Sequence, residues 1–168
     1  GMSVSFCVLG SGSSGNGSLL RVGGSTLMID AGFGPRAAAQ RLARLGHRLE
    51  SLDAVLLTHI ESDHFRPTWL NTWLRWGTRV YCHRRHLRRL YQVAARHTPL
   101  TTERDLQRIG LFHGFDSQPL TVPLSEAVVA VEPLELAHDA AGTTGFRLDA
   151  GDRRIGYATD LGRVPETL

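Results

Sequence analysis

The sequence predicts a mixed α/β fold of the α+β kind, and three observations carry that prediction. Short strand-like apolar runs outnumber helical stretches, the two are interleaved along the chain, and several of the apolar runs end in polar loops. At 168 residues, with 42% hydrophobic and 21% charged residues, the composition is that of an ordinary soluble domain. One domain over residues 2–168 is expected, and Gly1 ahead of Met2 reads as a tag remnant. Internal repeats, low-complexity tracts and linker-like composition shifts are absent from the sequence.

Val4 to Leu9 alternates and runs into the Gly- and Ser-rich stretch Gly10 to Gly17, after which Ser18 to Val22 and Thr26 to Ile29 read as two further strands. Pro35 suits the first helical position, Ala38, Leu42 and Leu45 follow at i, i+4 and i+7, and Gly46 supplies the stop. Leu52 to Leu57 is a short, mostly apolar run ending at Thr58, as expected of a buried strand that delivers its C-terminal end into a polar loop. Pro67 to Trp76 reads as a helix stopped by Gly77, Arg79 to Cys82 as a strand, and His83 to His97 as one long helix with Leu87, Leu90 and Val93 or Ala94 on one face. Thr98 to Pro119 has no clear pattern. Ala127 to Leu136, Gly145 to Leu148 and Arg154 to Tyr157 read as successive strands separated by polar turns.

The net charge is +3, and all nineteen basic residues are arginine, because the sequence contains no lysine. Nine of them fall between Arg75 and Arg108 against only Glu103 and Asp105. Arg84, Arg85, Arg88 and Arg89 lie on the side of their helix away from its apolar stripe, so they read either as a solvated face or as a phosphate-binding surface. No run approaches the roughly 20 apolar residues of a spanning helix, and no basic stretch precedes an apolar one at the N-terminus, so no membrane segment or export signal is expected. Cys7 and Cys82 lack metal or redox spacing and are expected as buried, reduced thiols in a cytoplasmic protein.

Thr58-His59-Ile60-Glu61-Ser62-Asp63-His64 crowds two imidazoles and two carboxylates behind an apolar strand. These donor types suit zinc, manganese or iron. The segment resembles the His-x-His-x-Asp-His signature of the metallo-β-lactamase superfamily, with Glu61 standing where the signature has its second histidine. Met28-Ile29-Asp30-Ala31-Gly32 is similar to the family's strand-ending Asp-x-Gly element, in which the aspartate supports the metal loop from behind. His138-Asp139 falls where the family places its next histidine ligand, and Thr159-Asp160 resembles its bridging aspartate. The opening Gly10 to Asn16 run is similar to a branch that includes nucleases; alone it is equally well a tight connection between strands. His47, His83, His86, His97 and His113 read as ordinary core or surface histidines.

The resemblance implies an αββα sandwich, incomplete at the C-terminus because the family continues past the bridging aspartate. A missing C-terminal segment, or a second copy of the chain, would then cover an open sheet face. It also implies one or two divalent metals, zinc first and manganese or iron as alternatives. His59, Glu61 and His138 would form one site, and Asp63, His64 and Asp160 the other, with Asp63 also orienting the nucleophile. A carboxylate at position 61 brings a harder donor and a negative charge, which shifts preference from zinc towards manganese or iron. The implied activity is metal-dependent hydrolysis, first of a phosphodiester such as nucleic acid. A small ester, lactone or thioester is the enzymatic alternative, and a catalytically silent binding module the non-enzymatic one.

Overall fold

The computed structural model describes residues 3–98, 101–136, 143–151, 153–158 and 162–164. Strand β2 (Gly17–Val22) pairs antiparallel with both β1 (Val4–Gly10) and β3 (Ser25–Ile29), and β3 then pairs in parallel with β4 (Ala54–Leu56). Strands β5 (Arg79–His83) and β6 (Phe112–Phe115) extend the parallel half, giving a six-stranded sheet in the order β1-β2-β3-β4-β5-β6. Parallel neighbours need crossovers, and helices supply them. Helix α1 (Pro35–Arg44) joins β3 to β4, α2 (Trp69–Trp76) joins β4 to β5, and α3 (Leu87–His97) with α4 (Glu103–Ile109) joins β5 to β6.

A second, antiparallel sheet of five strands follows, in the order β11-β10-β9-β8-β7. Its members are β7 (Leu120–Pro123), β8 (Val128–Leu136), β9 (Thr143–Ala150), β10 (Arg153–Ala158) and β11 (Gly162–Val164). The side-chain alternation of the first sheet decides how the layers stack. Met28, Val55, Leu57, Val80 and Cys82 pack with Leu42, Trp69, Trp73, Leu90 and Leu106 of the helices. Leu27, Ile29, Ala54, Leu56 and Tyr81 point the other way, onto Val122, Val129, Val131, Phe146 and Leu148 of the second sheet. The central strands are thus buried on both faces, which is why Leu27 to Ile29 and Ala54 to Leu57 are unbroken apolar runs. The far face of the second sheet carries cross-strand ion pairs, Arg147 to Glu132 at 3.1 Å and Arg154 to Asp149 at 2.9 Å. At these positions that face is charged, not apolar.

Several boundaries differ from those expected. The segment expected as one helix from His83 begins with a 3-10 turn, Arg84–His86, because the His83 imidazole caps it by accepting from the Arg85 N–H at 3.1 Å. The unassigned stretch contains α4 and β6. Thr102 and Asp105 form a reciprocal capping box at the start of α4, and Gly110, with φ of 73°, ends it. Strands β7 and β11 were not expected. Cys82 is buried as expected, but Cys7 on the edge strand β1 is half-buried; both are free thiols.

Candidate metal centre

The parallel strands β3, β4 and β5 end at the same rim of the sheet, the position at which open α/β sheets hold ligands. Asp30 follows β3 directly, is fully buried, and adopts the left-handed conformation with φ of 65°. Aspartate tolerates this region better than most residues, and here the turn aims its carboxylate across the end of β4. Asp30 Oδ1 accepts from the Thr58 N–H at 2.8 Å, and Oδ2 accepts from the Thr58 hydroxyl at 2.6 Å and from His64 Nδ1 at 2.9 Å. Since the carboxylate accepts, the His64 proton sits on Nδ1 and the lone pair on Nε2.

His64 Nε2 faces Asp63 Oδ2 at 3.4 Å and the Asn16 side-chain amide at 3.5 Å. Two ligands bound tetrahedrally at about 2.0–2.1 Å are separated by about 3.3 Å, so the Asp63 to His64 spacing suits a shared ion. His59 is also buried, its ring 5.3 Å from that of His64. Its Nδ1 accepts from the Glu61 N–H at 3.3 Å, which keeps the proton of a neutral ring on Nε2. Metal binding at that nitrogen would require the proton to move to Nδ1, which gives up the hydrogen bond from Glu61 N–H. The Glu61 carboxylate is 3.9 Å from His59 Nε2 and its side chain is 67% exposed, so it is held loosely compared with Asp30. The donor chemistry therefore fits a divalent metal best at the Asp63–His64 half and less well at the His59–Glu61 half. Among the described residues no three His, Cys, Asp or Glu side chains are grouped closely enough to hold an ion by themselves. His138 and Asp160, expected to complete the two sites, lie outside the described residues.

Backbone contacts fix the loop more firmly than its side chains do. Asp63 O accepts from Asn16 N at 2.7 Å and from the Asn16 side chain at 3.0 Å, and His64 O accepts from Ala31 N at 2.7 Å. Gly32 lies between these segments, donating to Asn16 O at 2.9 Å and accepting from Arg66 Nε at 2.8 Å. A Cβ on Gly32 would stand 1.9 Å from Asp63 O and 2.6 Å from Asn16 N, so only glycine fits. Phe65 then stacks on Trp73, anchoring the loop to α2. The Gly- and Ser-rich turn is thus the clamp that carries Asn16 to the metal loop, a role its sequence left open.

The 3-10 turn and helix α3 that follow the neighbouring strand β5 supply the opposite wall. Arg85, His86 and Arg89 line a cleft of about 690 Å³ together with His59, Ile60, Glu61 and Ser62. Arg85 also donates to the Thr144 hydroxyl at 3.4 Å, while Thr144 N donates to Thr58 O at 3.0 Å, tying the second sheet to the same rim. Burial, with the nearby Arg85, His59 and His83, pushes the His86 imidazole down to about 4. The four arginines read either as a solvated face or as a phosphate-binding surface separate here. Arg85 and Arg89 face the cleft, Arg84 turns to Asp116 at 3.4 Å, and Arg88 is exposed and does not line the cleft.

The family model described as the Beta-lactamase superfamily domain matches residues 25–168. The chain belongs to that superfamily. Its sequence is similar to Exodeoxyribonuclease WalJ of Streptococcus pneumoniae, with 23% identity over 163 residues, covering 97% of this chain and 56% of the relative. It is also similar to Ribonuclease Z of Mycobacterium marinum, 38% identical over 68 residues, which cover 36% of this chain and 23% of that protein. Among solved structures, the metallo-beta-lactamase with a HARLDQ motif from Cronobacter sakazakii superposes with a TM-score of 0.65 at 15% identity, covering 92% of this chain and 60% of that one. The chain therefore has the metallo-β-lactamase fold, and it spans little more than half the length of the first of these relatives. Among the described residues no helix is long and apolar enough to cross a membrane.

Proposed function

We propose that this metallo-β-lactamase superfamily chain acts as a metal-dependent phosphodiesterase on nucleic acid. The observation that carries the reading is the pairing of opposites across one cleft: carboxylate and imidazole donors on the β4 loop face Arg85 in the 3-10 turn and Arg89 at the start of α3. Exonuclease and ribonuclease relatives support the same substrate class.

In this reading Asp63 and His64, completed by Asp160, hold one divalent metal, and His59 and Glu61, completed by His138, hold a second more weakly. Zinc is the first candidate, and the Glu61 carboxylate shifts the preference of the second site towards manganese or iron. A bound divalent metal supplies Lewis acidity at a phosphoryl oxygen and a nucleophile at neutral pH. The protein's own part is positional. Asp30 fixes the His64 tautomer, Asn16 fixes the Asp63 backbone, and the half-exposed Asp63 carboxylate orients the attacking water. Arg85 and Arg89 hold the phosphate backbone of the substrate by charge-assisted hydrogen bonds, Arg85 being braced by Thr144. The two free cysteines fit a reducing, cytoplasmic setting; burial pushes the Cys82 thiol up to about 12, which keeps it inert.

Labelled DNA and RNA, offered beside a simple ester with each divalent metal in turn, test the proposal. Metal-dependent cleavage of nucleic acid is expected. Replacing both Arg85 and Arg89 with alanine is expected to raise KM at least about tenfold and to flatten the salt dependence by about one to two units of slope. Turnover of the ester without nucleic-acid cleavage under any metal would replace this reading with an ester, lactone or thioester hydrolase.

A further inference from the structure

His86 has no part in the ligand set that the family resemblance implies, yet it forms part of the cleft wall. It is 6% exposed, lines the cleft between Arg85 and Arg89, and its buried Nε2 has no hydrogen-bond partner among the described residues. A buried ring nitrogen left unmatched is costly unless a ligand completes it. The groups around it set the sign of that ligand. Arg85 and Arg89 are exposed and cationic, the first turn of α3 contains no acidic residue, and the nearest carboxylate along the cleft lining is that of Glu61, on the metal-loop side. An anion with hydrogen-bond-accepting oxygens satisfies both the nitrogen and the guanidinium groups. At about 690 Å³ the cleft lies in the range that accommodates a nucleotide-sized ligand, more than a single phosphate fills.

We propose that Arg85, His86 and Arg89 form a second phosphate subsite, with His86 as its specificity-determining contact, which binds the phosphate adjacent to the one presented to the metal loop. The inference rests on the phosphodiesterase reading for its substrate class. It makes the preferred substrate an oligonucleotide with two or more phosphates rather than an isolated phosphodiester. In the free protein His86 Nε2 is closed off from solvent, and a rotation of the ring on binding lets it donate its N–H to a non-bridging oxygen, with Arg85 and Arg89 balancing the charge from either side. As a positioning residue it touches the neighbouring phosphate and not the reacting atoms.

Calorimetric binding of thymidine 5′-monophosphate and thymidine 3′,5′-bisphosphate to the protein as purified tests the subsite without any turnover. The bisphosphate is expected to bind at least about tenfold tighter, the size of one charge-assisted hydrogen bond. His86→Ala is expected to bring the two affinities together with the bound metal unchanged, and His86→Gln, which keeps a donor, to restore part of the difference. Arg89→Ala, at an exposed position that does not threaten folding, is expected to shrink it as well. Equal affinities in the unaltered protein, or an undiminished difference in both folded His86→Ala and Arg89→Ala, would overturn the subsite. Loss of metal in His86→Ala would overturn it too, by making His86 a ligand. The two readings fail separately: cleavage of nucleic acid with no bisphosphate preference removes the subsite alone, and the preference without any cleavage removes the phosphodiesterase reading alone.

Discussion

Replacing Asp30 with asparagine is expected to leave the chain folded and to weaken metal binding by about 10–100-fold, the usual effect of losing the partner behind a histidine ligand. The amide has almost the shape of the carboxylate, but only one of its two ends accepts. Its oxygen can stay on the Thr58 N–H, now bound at 2.8 Å, and its NH2 then meets the Thr58 hydroxyl and His64 Nδ1 where Oδ2 stood. The hydroxyl can turn round and accept. His64 can accept at Nδ1 only by moving its proton to Nε2, which occupies the lone pair that faces Asp63. Imidazole nitrogen shifts in the metal-free protein read the tautomer, and competition with a chelating dye reads the affinity. Unchanged affinity together with an unchanged His64 tautomer would show that Asp30 does not tune this ring. Asp30→Ala is the harsher change, because it strands a buried N–H and imidazole, and should cost about 3–5 kcal/mol of stability.

Replacing Gly32 with alanine is expected to be at least as disruptive, through the backbone and not through any ligand. The added methyl would lie 1.9 Å from Asp63 O and 2.6 Å from Asn16 N, and neither atom can rotate away. Relief requires the Asp63–His64 segment to separate from the Asn16 turn, breaking the two hydrogen bonds that Asn16 gives to Asp63 O. Overpacking of this kind costs about 1–3 kcal/mol where neighbours yield, and more where they are backbone. We expect a loss of about 3 kcal/mol or more by urea unfolding, or a folded protein that has lost its metal. Native stability with native metal content would mean that the clamp does not position the loop.

The sequence made the central layers legible because burial imposes simple patterns. Leu27 to Ile29 and Ala54 to Leu57 are buried on both faces, and α1 and α2 carry their stop signals, Gly46 and Gly77, in the left-handed conformation. The short elements were harder to read. Helix α4 has seven residues with a capping box, Thr102 to Asp105, whose polar signature is weak beside an apolar period; β6 and β7 have four residues each and too few alternations to register. At the site, the types and spacing of His59, Glu61, Asp63 and His64 stood out, and Asp30 was found by its strand-end motif. Asn16 and His86 were not, because each acts through a contact far away in sequence. Asn16 reaches Asp63 across 47 residues, and His86 shares a cleft with the metal loop only because β4 and β5 are parallel neighbours. The available signal was position: both follow strands that converge on one rim of the sheet.

Elemental analysis of the protein, purified without a chelating column, tests metal dependence most directly. About one transition-metal ion per chain or more is expected, held chiefly by the Asp63–His64 half and lost in His64→Ala while the fold persists. A well-folded protein that contains no transition metal, and takes up none when zinc, manganese or iron is supplied, would contradict a metal-dependent hydrolase and leave a binding module with the same fold.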